Sequence, residues 1–443
     1  MADKGNNLQR NIFRLSSGVE EFFLENGLRV LLKPNPDSTA VSTWIFYNVG
    51  SRNERPGITG ASHWCEHMLF KGGGKLGKGD VHTLVSAEGG RNNAFTDHDL
   101  TAYFETLPKS KLDLGLFIES ERMANSEFNS EEVARERHVI ISEREGSENY
   151  PTYQLREEIY SLAYRIHPYR WPVIGWKSDL KTMTRNDLYE HYKTFYHPNN
   201  ATLVVTGNFN IGEASSKIRS AFSRIHAGEK NLGKIPFQEP EQLGERTSKI
   251  VQRGTLNYLG VAFRIPEVTH SDTPSLIVLA SVLGGWSGLI GIFGDRYVPK
   301  ANRLYRGLVE GKVASEVNTY FPVNIDPGLL YFELTLFPGV STYTASSKLF
   351  SELERITDTP TDESELNIAF NSIRASHAFE NDGIGSQALA IGFMQTLGNR
   401  NIADELVENS LRVTPEEVQK VAKKYLSEKN RVVSEIQSSG AKE

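Results

Sequence analysis

A stretch near the middle of the chain recurs near its end. Thr184-Arg185-Asn186-Asp187-Leu188, followed by Phe195, Asn200 and Thr202-Leu203, is matched by Thr414-Pro415-Glu416-Glu417-Val418, followed by Tyr425, Asn430 and Val432-Val433, at a constant offset of 230 positions (414 minus 184). Each copy reads as a helix opened by a threonine with an acid three residues on, then a β-branched strand. A helix and a strand repeated at one offset call for two halves of like design. The expected fold is therefore α+β, with two homologous α/β-sandwich-type domains, each a mostly antiparallel sheet packed with helices. A chain of 443 residues has the length for two cores. Between the copies, Gly228, Gly233, Pro236, Pro240 and Gly244 fall among alternating charges, as in a linker. The expected division is 1–226, a linker at 227–246, and 247–443.

The chemistry concentrates in the first half. Thr59 to Phe70 reads as a short helix with Thr59 near its N-cap. At about 100° per residue, His63, Glu66 and His67 share one face, and Ala61, Trp64, Cys65, Met68 and Leu69 take the other. Two histidines four apart can present ring nitrogens to one Zn²⁺, and the carboxylate just before the second stands where water would meet the metal. This is the inverted H-x-x-E-H signature of zinc hydrolases. The alternative is a surface helix with a solvated His-Glu-His patch, and a third ligand decides between them.

In the helix after Asn129-Ser130, Val133, Val139, Ile140 and Glu143 lie within about 60° of Glu136 on the wheel. Two carboxylates thus stand in an apolar stripe, where burial is costly unless something cationic faces them. Pairing with an arginine such as Arg135 would meet that need as well as a metal would. Glu132 is read as closing a capping box on Asn129.

Taken together, H-x-x-E-H at 63–67, Glu143 seventy-six residues after His67 (143 minus 67) and Glu136 two turns before it resemble the pitrilysin-type (insulinase) zinc peptidases, which include the processing peptidases. The resemblance implies His63, His67 and Glu143 as ligands of one Zn²⁺ per chain. It implies Glu66 as general base and Glu136 as the residue orienting a ligand histidine. Gly89-Gly90-Arg91-Asn92-Asn93-Ala94-Phe95-Thr96 is similar to the family's G-G-x-x-N-A-x-T segment. This implies that Asn93, Ala94, Phe95 and Thr96 form an edge strand to which an extended peptide substrate adds.

In the second half the family's arginine and tyrosine pair, spaced R-x₆-Y, is not matched: Arg306 is followed seven positions on by Val313. The resemblance therefore implies a metal-bearing subunit with a homologous partner that supplies the pair. The second half has only His270 and His377 after His226 and no H-x-x-E-H, so it is expected to be non-catalytic. The expected function is a zinc-dependent endopeptidase or oligopeptidase acting on extended or unfolded peptides as half of a heterodimer. The alternative is a non-catalytic scaffold subunit of the core type.

A net charge of −6 offers nothing to attract nucleic acid. A single cysteine, Cys65, forbids an intramolecular disulfide and is read as a packing residue. The uncharged run Ser275 to Gly294 is broken by five glycines. It is read as a buried helix to about Leu283 and a glycine-rich loop at 284–294, not a membrane span. The first residues show no signal peptide; the chain as written suits the cytoplasm, and a periplasmic or organellar site if a targeting peptide has been removed.

Overall fold

The computed structural model describes residues 14–229, 238–286, 288 and 300–439. Most of the glycine-rich loop expected at 284–294, and part of the linker expected at 227–246, lie outside them.

In the first half, strands β1 (Glu20–Phe23), β2 (Arg29–Pro34), β3 (Ala40–Tyr47), β4 (Arg91–Thr96), β5 (Thr101–Pro108) and β6 (Ala201–Gly207) form one sheet, in the order β1-β2-β6-β3-β5-β4. Every neighbouring pair is antiparallel except β2 with β6. Residues 20 to 50 contribute three of these strands. The helices are α1 (Ala61–Met68), α2 (Asp80–Ala87), α3 (Leu112–Asn125), α4 (Ser130–Glu148), α5 (Pro151–Ala163), α6 (Lys177–Thr182), α7 (Arg185–Phe195) and α8 (Ile211–Phe222).

The second half has strands β7 (Arg246–Gln252), β8 (Tyr258–Arg264), β9 (Ala314–Tyr320), β10 (Leu329–Leu336) and β11 (Arg431–Ser438), ordered β7-β11-β8-β10-β9. Here only β7 with β11 is parallel. Its helices are α9 (Thr273–Gly284), α10 (Thr342–Asp358), α11 (Glu363–Glu380), α12 (Ile384–Thr396), α13 (Ile402–Ser410) and α14 (Pro415–Tyr425). The second sheet repeats the order of the first without β1. The capping threonines Thr184 and Thr414 both close reciprocal boxes, with Asp187 and Glu417. This is the duplicated α+β architecture that the repeat requires.

Both faces of the first sheet are buried, which accounts for its long apolar runs. Val30, Leu32, Ile45, Tyr47, Tyr103, Leu203 and Val205 point into a core shared with α1, α3, α7 and α8. The alternate residues Leu31, Trp44, Phe46, Ala102 and Val204 point into a core shared with the second half. The helix covering that second face is α12: Gly392 sits against the ring of Phe46, and Thr206 Oγ1 donates to Ile384 O at 2.7 Å. The exchange is reciprocal. Helix α5, which holds the place in the first half that α12 holds in the second, packs Leu155 and Ile159 over Gly260 of β8 and joins a core with Ala262, Leu329, Tyr331 and Val432. Among the described residues no helix is long and apolar enough to cross a membrane.

Candidate metal centre

Helix α1 has the two faces its spacing requires. Ala61, Trp64, Cys65 and Met68 are buried in the first core, with Cys65 Sγ against Leu188 O, while His63 and His67 look outward. The N-cap is Gly60, at φ 88°, not Thr59. A β-carbon at Gly60 would lie 2.4 Å from Ile174 O, so glycine is required there on both counts. Thr59 instead donates to Asp179 at 2.8 Å and accepts from Trp176 N. The cap comes from the buried Glu54, whose carboxyl accepts from Gly60 N at 2.7 Å and Ser62 N at 2.8 Å. Burial pushes Glu54 up to about 8, against the pull of those two amides.

Helix α4 crosses α1 and brings Glu143 to the histidines. Glu143 lies 3.8 Å from His63 Nε2 and 3.7 Å from His67 Nε2. Glu136, two turns earlier, is 2.9 Å from His67 Nδ1 and also holds Lys71 Nζ at 2.6 Å. Arg135 pairs with Glu131 and Glu132 instead, and so takes neither Glu136 nor Glu143. The capping box expected of Glu132 is not formed: Asn129 accepts from Glu131 N, and Glu132 pairs with Lys78 and Arg135. The stripe on α4 is wetter than its spacing suggests, since Val139 is 50% exposed and the Glu143 side chain 47%. Val133 and Ile140 of the same stripe are buried in the first core, so only its Val139 and Glu143 edge is open to solvent.

Strand β4 is the outermost strand of its sheet, beside α1. Asp97 N donates to Leu100 O at its end, so in the alternating antiparallel pattern Phe95, Asn93 and Arg91 bond to β5. The backbone groups of Asn92, Ala94 and Thr96 face outward. The side chains of those same three residues turn to the helices: Asn92 meets His82 of α2, Ala94 joins the first core, and Thr96 Oγ1 donates to Glu66 Oε2 at 2.7 Å. Burial lifts Glu66 to about 7, moderated by that hydrogen bond.

Among the described residues, His63, His67 and Glu143 are the one group of three or more His, Cys, Asp or Glu side chains able to share an ion, with ligand atoms all within 4.8 Å of one another. Tetrahedral zinc with ligands at 2.0–2.2 Å needs them about 3.3–3.6 Å apart. The chemistry of the donors fits too. Burial, with a smaller effect from His67, brings His63 down to about 3, leaving a neutral imidazole. For His67, burial works to lower the value, but the Glu136 hydrogen bond and the nearby acids prevail and raise it. A cation is wanted at this position, and the Glu136 contact turns Nε2 toward the other ligands. In the second half, His270 accepts from Asp272 N, His377 is buried beside Asp404, and Arg303 and Arg306 both pair with Glu365.

Glu54, Lys71 and the hydroxyl role of Thr96 are not readable from the chain. The first two lie in irregular segments outside the helical period, and the third depends on how β4 meets α1.

Residues 29–176 match the family model described as insulinase, peptidase family M16, and residues 182–373 match the model described as the peptidase M16 inactive domain. The chain belongs to peptidase family M16. The zinc protease PqqE of Helicobacter pylori is 32% identical to this M16 chain over 269 residues, which cover 60% of the chain and 61% of that protein, less than two thirds of its length. A probable mitochondrial-processing peptidase subunit beta of Arabidopsis thaliana is 24% identical over 415 residues, covering 93% of the chain and 77% of that protein. The crystal structure of a protease from Helicobacter pylori has the same fold, with a TM-score of 0.89 at 24% identity over 95% of the M16 chain and 99% of that chain.

Proposed function

We propose that this chain is a zinc-dependent metallopeptidase that hydrolyses extended or unfolded peptides. The observation that carries the reading is the meeting of His63, His67 and Glu143 from two separate helices, with the buried Glu66 carboxyl beside them. His63 Nε2, His67 Nε2 and the Glu143 carboxylate would hold the ion, and Glu136 would orient His67. When bound, zinc supplies Lewis acidity that polarises a peptide carbonyl. Glu66, with Oε2 held by Thr96, uses Oε1 to take a proton from the attacking water and then passes it to the leaving amine. The outward amides and carbonyls of Asn92, Ala94 and Thr96 would bind the peptide as an added strand, beside Asn93 and Phe95, reading backbone more than side chain.

The catalytic half is assigned to 1–226 and the non-catalytic half to 247–443, joined by 227–246. We assign the chain to the metal-bearing side of a heterodimer. That assignment is supported by the likeness to a protein named as a subunit, and by the absence of an R-x₆-Y match at Arg306. Metal analysis and peptide cleavage, with and without a co-purified homologue, test the whole reading. Glu143→Gln should lose zinc, and Glu66→Gln should keep zinc and lose turnover by a factor of about 10²–10⁴. A protein that binds zinc and stays inert with its partner present is a scaffold.

A further inference from the structure

Lys71 stands just past the end of α1, four residues after His67, where the chain turns into Gly72-Gly73-Gly74. These glycines have φ of 95°, 151° and 60°, and a β-carbon on Gly73 would come within 2.0 Å of Asn125 O at the end of α3. The loop is thus seated on α3, and its seating fixes where Lys71 begins. Lys71 Nζ lies 2.6 Å from Glu136 Oε2, with side-chain exposures of 22% and 7%, while Oε1 of the same carboxylate meets His67 Nδ1 at 2.9 Å. A carboxylate gripped on one oxygen by an ammonium can present the other in only one direction. A pair this sheltered escapes most of the screening that makes exposed ion pairs weak. The far end of the loop repeats the tie, since Lys78 reaches Glu132, one turn before Glu136 on α4.

We infer that Lys71 is a positioning residue of the metal centre: by clamping Glu136 Oε2 it aims Oε1 at His67, and it sets α4, which carries Glu143, against α1. The inference rests on the zinc reading above and concerns metal affinity, not turnover. Outer partners of metal-binding histidines are worth about 10–100-fold in affinity.

The test uses the full chain and zinc alone, with affinity measured by competition against a chromogenic chelator. Wild type is compared with Lys71→Met, Lys71→Arg, Glu136→Gln and the Met/Gln double variant. Lys71→Met should bind zinc about tenfold more weakly, Lys71→Arg should recover most of the loss, and the double variant should bind no more weakly than Glu136→Gln alone. The metal-free Met variant, which leaves Glu136 without its ammonium, should melt a few degrees lower, and Lys71→Arg should stay near wild type. Should Lys71→Met fail to fold, Lys71→Gln serves in its place. Wild-type affinity in the Met variant, or losses that multiply in the double variant, overturns the inference and leaves the zinc reading standing. A wild-type chain that binds no zinc overturns both.

Discussion

Glu54 offers a test of how the metal helix is held. It is 3% exposed and supplies the acceptors for two amides at the start of α1, Gly60 N and Ser62 N. An unmet buried amide costs about 1–3 kcal/mol. Glu54→Ala orphans both and should cost about 2–6 kcal/mol before any cavity is counted. Glu54→Gln keeps one acceptor but turns an NH₂ toward the other amide, and should cost about 1–3 kcal/mol. The pH dependence has a definite sign. Because the folded carboxyl sits at about 8 against an ordinary 4.5, its contribution is present in full below 4.5 and is lost as pH rises through 8. At about 1.4 kcal/mol per pH unit the loss is on the order of 5 kcal/mol. Glutamine does not titrate, so the advantage of wild type over Glu54→Gln should shrink between pH 5.5 and 8.5. Urea denaturation of metal-free protein at several pH values measures it. A gap that widens with pH would mean the two amides keep Glu54 ionised, and an alanine cost under 1 kcal/mol would refute the capping role.

Other perturbations reach different layers. Thr96→Val should lower kcat about tenfold with KM and zinc content unchanged, and Thr96→Ser should restore it, as expected for a hydroxyl that steers a proton-transfer group; equal kcat in all three proteins removes Thr96 from the mechanism. Gly392→Ala puts a carbon 2.0 Å from Phe46 Cε2, where contacts are normally about 3.5–4.0 Å, and should cost about 1–3 kcal/mol in urea unfolding, partly recovered by Phe46→Leu. Arg122, 2% exposed, pairs with the fully buried Glu105 and Glu119; Arg122→Met should cost about 3–5 kcal/mol by stranding them, and an unchanged unfolding midpoint would show the cluster to be neutral.

Periodicity carried the reading as far as single elements. The two faces of α1 and the seven-residue step from Glu136 to Glu143 follow from 3.6 residues per turn, and both appear in the fold. The apolar stripe on α4 was legible, but where the core ended along it was not, because Val139 and Ile140 look alike on a wheel and only Ile140 is buried. Thr59 had the right chemistry for an N-cap, yet the cap came from Glu54, six residues before Gly60 and in no periodic relation to the helix. The repeat announced two like halves. It carried no sign that α5 and α12 cover each other's sheets, since an apolar helix does not name the surface it lies on.

That exchange reaches the chemistry. A half-length chain ending after α8 would keep every residue assigned to the metal but would lose the lid over Trp44 and Phe46, leaving one side of its sheet bare to water. Two such chains could repair this only by lending each other a helix, the arrangement of a swapped dimer, here written into one polypeptide. The half without metal ligands is therefore a structural creditor of the half that has them, and cutting the connection between them should leave the fragments associated.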